Sequence, residues 1–160
     1  MRWLAVALAL CATSLGGCAT GQGAPHPQAA LYDPKGDAHS SVDRALERAR
    51  EDGKRVLLVM GANWCHDSKA LAGWLETPRF RRLVSDKYEL VFVDVGMPQA
   101  GRGVNLDIAK RFGIEVEGTP TVLILSPEGK LLNPDSATSW SNASQRSEDE
   151  IYHELAEAAG

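Results

Sequence analysis

Cys65 stands in the run Trp64-Cys65-His66-Asp67-Ser68, a thiol followed three residues later by a hydroxyl, and this reads as half of a redox pair whose second cysteine is missing. A thiolate attacks a disulfide sulfur and forms a mixed disulfide. A serine in the second position cannot then expel the partner, so turnover needs a thiol from the substrate itself or from another protein. Ser68, one helical turn after Cys65, is either a hydrogen-bond donor to the thiolate or simply a polar residue of a first helical turn. His66 can stabilise the thiolate when protonated or hand a proton to a leaving thiol. Asp67 opposes the charge effect and has His66 or Lys69 as a partner, while a turn of this composition is also often just solvated. Trp64 is a substrate contact or a core residue.

The elements around this turn suit such a role. The apolar run 55–61 reads as a buried strand, and a helical pattern over 65–75 follows Asn63. Cys65 is thus expected where a strand hands over to a helix, with unpaired amides and the positive end of the helix dipole favouring its thiolate form. Before it, Val42, Ala45, Leu46 and Ala49 mark an amphipathic helix from Ser41, ended by Gly53. After it, Thr77-Pro78 opens a helix through Val84, residues 88–95 form a strand with Asp94 at its end, and Asn105 caps a helix through Phe112 that Gly113 stops. The fragment Gly101-Arg102-Gly103 is too short for a phosphate-binding motif and reads as a turn. Thr119-Pro120 leads into a strand over 121–125, and the turn 126–130 closes it as a hairpin. The polar stretch 133–146 carries Trp140, a covering contact on the core or a partner contact. Ser147 and Glu150 then form a capping box for the last helix.

In this order the parts resemble a thioredoxin from about Val42 to the C-terminus. Trp64-Cys65 matches the family's Trp-Cys, and Thr119-Pro120 matches its cis-proline dipeptide. The resemblance implies an α/β, thioredoxin-like three-layer sandwich with a central mixed β-sheet flanked by helices. It implies Cys65 as the nucleophile beside His66 and Ser68, and substrate held along Trp64, Thr119 and Pro120, a cis Pro120 bringing the Thr119 backbone next to Cys65. Three positions depart from the family pattern. His66-Asp67-Ser68 replaces Gly-Pro-Cys, Val59 stands where many thioredoxins hold a buried acid, and Gly73 stands where they carry a kinking proline. Single-cysteine, periplasmic thioredoxin-like proteins with a Trp-Cys-His-Asp-Ser turn are the most similar kind.

The chain of 160 residues has room for one domain with a sizeable core, and its formal net charge of −4 excludes the basic footprint of nucleic-acid binding. Residues 1–17 read as a lipoprotein-type signal: Arg2, a short apolar run, then Leu15-Gly16-Gly17 before Cys18. The alternative is an ordinary secretory signal cut near Ala19 or Thr20. Leu-Gly-Gly-Cys looks like a bacterial lipobox, which implies lipid on Cys18, an exported, periplasm-facing location in the cell envelope, and, from Ala19, the outer membrane. Residues 18–39, rich in Gly, Ala, Pro and Gln, are expected as a flexible tether of roughly 25 Å, and residues 40–160 as the thioredoxin-like domain. With Cys11 in the signal and Cys18 lipidated, Cys65 is the one thiol of the mature protein, and no internal disulfide is possible. His26, His39, His66 and His153 lack metal-ligand spacing, and no cofactor is expected. The expected partners are protein or low-molecular-weight thiols and disulfides, together with the membrane through lipid at Cys18. The functional expectation is thiol–disulfide exchange by a monothiol. Its rival from another class is a non-catalytic groove for peptides or an envelope partner, with Cys65 incidental.

Overall fold

Arg55–Gly61 has one charged residue, at its start, and from Val56 on every residue is buried, so the strand it forms (β1) must be covered on both faces. It is the middle strand of a three-stranded sheet. In the computed structural model, which describes residues 26–160, Tyr88–Asp94 (β2) pairs with β1 in parallel, from Arg55 opposite Tyr88 to Gly61 opposite Asp94. Thr121–Leu125 (β5) runs antiparallel on the other side, from Val56 opposite Leu125 to Met60 opposite Thr121. The sheet is therefore mixed, in the order β2-β1-β5. The expected signal 1–17, Cys18 and the first part of the expected tether lie outside the described residues.

The period-two alternation of a strand divides the core into two layers. Val56, Leu58 and Met60 face one way, with Val42, Leu46 and Ala49 of α1 (Ala38–Asp52) and Ile108 of α4 (Leu106–Lys110). Leu57 and Val59 face the other way, with Leu71 and Leu75 of α2 (His66–Leu75), Phe80 of α3 (Pro78–Lys87), and Ile151 and Leu155 of α5 (Glu148–Glu157). The result is an α/β, three-layer, thioredoxin-like arrangement with helices on both faces of a mixed sheet. Between β2 and α4 the chain makes a small ribbon, Gly96–Met97 (β3) against Arg102–Gly103 (β4), joined by a 3₁₀ turn, Pro98–Ala100.

Several local expectations hold at the level of atoms. Gly53 ends α1 in the left-handed region at φ 69°, and Ser147 with Glu150 forms the reciprocal capping box of α5. Others need correction. α1 starts at Ala38, earlier than expected, because the Asp37 side chain accepts from Ser40 N and caps it. Asn105 precedes α4, but its side chain donates back to Asp94 O at 2.9 Å and leaves the helix amides alone. The expected hairpin after β5 shrinks to one bridge, Leu125 to Leu131, since Asn133 takes the next places on the strand: its side chain accepts from Ile124 N and donates to Val122 O.

The largest difference lies before α1. The stretch expected as a tether is, from His26 onward, laid along the domain as a strap. Ala29 N donates to Lys69 O in α2 at 3.0 Å, and Tyr32 is 1% exposed. A glycine makes room for it: a Cβ on Gly73 would meet Pro27 O at 2.3 Å and Gln28 N at 2.6 Å. The residue standing where thioredoxins hold a kinking proline is thus small because backbone passes over it.

Candidate active site

Cys65 is the N-cap residue of α2, in extended conformation at φ −80° and ψ 126°, after the short turn 62–64 that follows β1. Its thiol donates to Thr119 O at 3.2 Å. The Thr119-Pro120 bond is cis, and Thr119 is itself buried. Of the residues singled out from the sequence, Cys65, Thr119 and Pro120 thus meet at one point where α2 and β5 begin. Cys65 is 8% exposed and is the one free cysteine among the described residues.

Trp64 stands beside it and is 49% exposed, so it is no core residue. Its indole N–H donates to Gly96 O at 2.7 Å, which pins the ring to the start of the β3–β4 ribbon. A large apolar face held open to solvent next to a thiol suits contact with another molecule.

Ser68 is fully buried, and its Oγ has no hydrogen-bond partner. It does not bond the Cys65 sulfur, which is engaged with Thr119. Instead Oγ lies over Gly61, where a Cβ would come within 2.6 Å of it and within 2.8 Å of the Tyr32 ring. An unpaired buried hydroxyl costs stability, and the polar group beside this one is the Tyr32 phenol.

His66 and Asp67 are tied to neighbours the sequence reading did not foresee. His66 contacts His26 through their Nε2 atoms at 3.1 Å, and Gln28 Nε2 lies 3.0 Å from His66 Nδ1. Asp67 accepts from Ser144 N at 2.8 Å, joining the first turn of α2 to the 3₁₀ segment Ser139–Gln145. That segment carries Trp140, fully buried with Arg146 stacked 4.5 Å over its ring, so this tryptophan is core cover. Asp67 is thus not the free acid that the turn composition suggested, whereas His66 is exposed, with His26 and Gln28 as its polar neighbours.

Tyr32, Asn63 and Gly61 are site residues that sequence reasoning missed. The Asn63 side chain accepts from Tyr32 N at 3.1 Å and donates to Tyr32 O at 2.7 Å, while Tyr32 Oη donates to Ser68 O at 3.2 Å. The Tyr32 ring meets Phe92 edge-on at 5.3 Å. Burial above all pushes the Tyr32 phenol upward; the adjacent Ser68 hydroxyl partly offsets this, and negative charge on Cys65 and Asp94 adds to it. It therefore remains a protonated donor. The signals in the sequence were a lone tyrosine in a polar stretch and a glycine ending an apolar strand, both uninformative until the two segments meet.

Among the described residues no group of three His, Cys, Asp or Glu side chains could hold a metal ion, and no described helix is long and apolar enough to cross a membrane.

A strand, a cysteine at the following helix N-terminus and a cis-proline loop against its sulfur agree with the sequence comparison, in which a thioredoxin-like family model matches residues 37–127. The chain belongs to the thioredoxin-like family. Among solved structures, a disulphide isomerase from Xylella fastidiosa Temecula1 is 29% identical, with a TM-score of 0.74 covering 82% of this chain and 98% of that one. A thioredoxin from Thermus thermophilus is 21% identical, with a TM-score of 0.51 covering 72% of this chain and 81% of that one, a likeness of fold. No curated protein matches the chain. Tyr32 precedes the segment that the family model matches.

Proposed function

We propose that this thioredoxin-like protein carries out thiol–disulfide exchange as a monothiol. The Cys65 thiolate attacks one sulfur of a protein or low-molecular-weight disulfide. A Cys65–substrate S–S bond forms, the substrate S–S bond breaks, and the released thiolate takes a proton from solvent or from His66. A second thiol, on the substrate or on a partner protein, then attacks the mixed disulfide and returns Cys65 to the thiol. Electrons balance without a cofactor, and when the second thiol belongs to the substrate the net reaction is isomerisation. The observation that carries this reading is the Cys65 thiol at the N-terminus of α2 facing Thr119 O at 3.2 Å. There an extended substrate can pair with the loop backbone while its sulfur reaches Cys65. The likeness to a disulphide isomerase supports the same class of chemistry.

The reading extends to location. Lipid on Cys18, following Leu15-Gly16-Gly17, holds the protein on the envelope membrane facing the periplasm. With the strap docked from His26, the reach from Cys18 to the domain is at most about 28 Å at full extension. Cys65 then works close to the membrane surface, on membrane-proximal thiols and disulfides.

Incubation with a disulfide-linked model peptide, followed by mass spectrometry, tests the chemistry. A mixed disulfide at Cys65 is expected, absent in Cys65→Ser, together with reshuffling of a scrambled protein disulfide when a small thiol is supplied. No adduct at Cys65 under these conditions would leave the alternative, a non-catalytic binding module, which draws its support from the burial of Cys65 beside an exposed Trp64.

A further inference from the structure

We infer that Tyr32, carried in by the strap, is a positioning residue that holds the turn bearing Cys65 in its working geometry, an inference that rests on the thiol–disulfide reading above. Tyr32 grips the turn on both sides of the cysteine. Its backbone forms two hydrogen bonds with the Asn63 side chain, at 3.1 and 2.7 Å, two residues before Cys65. Its phenol reaches Ser68 O at 3.2 Å, three residues after Cys65. One residue from outside the matched family segment thus fixes both ends of the stretch 63–68 and, with it, the approach of the thiol to Thr119.

The docking is written into the glycines that face it. At Gly61 any Cβ would strike the Tyr32 ring at 2.8 Å, and at Gly73 any Cβ would strike the Pro27 backbone at 2.3 Å. Contacts with a tyrosine ring and with backbone cannot be relieved by swinging a flexible side-chain end away. Two separate positions, on β1 and on α2, therefore have the size the strap demands. The phenol is 1% exposed and is held protonated by its burial. Tyr32 acts through the turn and does not touch substrate.

Three variants test this in the full-length protein. Tyr32→Phe keeps the ring and the Asn63 grip and removes only the bond to Ser68 O. Apparent kcat for exchange with a disulfide peptide is expected to fall about fivefold with KM unchanged, the equivalent of one net hydrogen bond. Gly73→Ala lifts the strap from the far end, and is expected to reproduce the fall while losing hydrogen-exchange protection at the Ala29 amide. Phe80→Leu, a core change away from the turn, is the control: it lowers Tm but leaves kcat in place. Alkylation of Cys65 by iodoacetamide reads the same placement without a disulfide substrate, and should rise about threefold in Tyr32→Phe and Gly73→Ala as the turn opens locally. Positioning is overturned if alkylation is unchanged in both variants, or if Phe80→Leu slows exchange as much as Tyr32→Phe. If the wild type shows no exchange at all while alkylation still rises in Tyr32→Phe, the thiol–disulfide reading fails and the positioning role stands.

Discussion

Ser68→Ala is expected to stabilise the protein and slow it. The Ser68 hydroxyl is fully buried, with no partner for Oγ, and a buried unsatisfied polar group costs about 1–3 kcal/mol. Removing one oxygen forfeits a handful of dispersion contacts at about 0.1–0.2 kcal/mol each, while alanine adds a few tenths of a kcal/mol of helix propensity. The balance is a gain of about 1 kcal/mol. At about 2.1 cal/mol/K of unfolding entropy per residue, over about 135 ordered residues, this raises Tm by about 3–4 °C. Urea unfolding followed by circular dichroism measures the gain as a higher midpoint at constant slope. The same variant should form its mixed disulfide more slowly than wild type, the outcome expected of a hydroxyl one helical turn from Cys65 that rotates to donate to the thiolate during exchange. A loss of stability of 0.5 kcal/mol or more, on the same scale as a net hydrogen bond, would show that Oγ is satisfied in solution. Exchange at the wild-type rate would show that the hydroxyl does nothing for Cys65.

Ser68→Cys should close an internal disulfide with Cys65 on oxidation and, with a dithiol reductant, reduce a model protein disulfide faster than wild type, while Cys65→Ser does neither; absence of the internal bond by mass spectrometry refutes the pairing of positions 65 and 68. Cys18→Ala should lose lipid-type processing and move the protein from membrane to soluble fractions; unchanged fractionation refutes the anchor. The Glu150 carboxyl is held below the ordinary glutamate range, first by Ser147 N and then by the Ser147 hydroxyl, and the Asp149 carboxyl is held low by Arg79. Depressed folded-state values contribute stability that is fully present above the unfolded values, about pH 4, and is lost as pH falls through the folded ones. Acid titration followed by the amide signals of α5 should therefore show its first turn loosening below about pH 4, with the acid-sensitive component reduced in Ser147→Ala; an unchanged acid profile in that variant refutes the assignment to the capping box.

Much of this molecule is decided within a few residues of itself. The apolar run of β1, the amphipathic spacing of α1, Gly53 as a helix stop, and the Ser147–Glu150 cap all depend on groups one or two helical turns apart, so the sequence alone determines them. Trp64-Cys65 and Thr119-Pro120 were likewise legible as short patterns, and with them the thioredoxin-like fold and the candidate thiol. Hydrogen bonds and steric contacts between distant segments are not encoded in any local period. A stretch rich in Gly, Ala, Pro and Gln has no amphipathic spacing, and so reads as a tether. Only the folded chain shows that Gly61, Asn63 and Gly73 form a bed for it, with Tyr32 as its anchor. Asp67 reads as a solvated acid until packing brings Ser144 N to it. Ser68 reads as an ordinary first-turn serine until β1 and Tyr32 close over it and shut out water. What the tertiary structure decided is which polar groups are satisfied and which are not, because that depends on the partners and the water that packing admits to each atom.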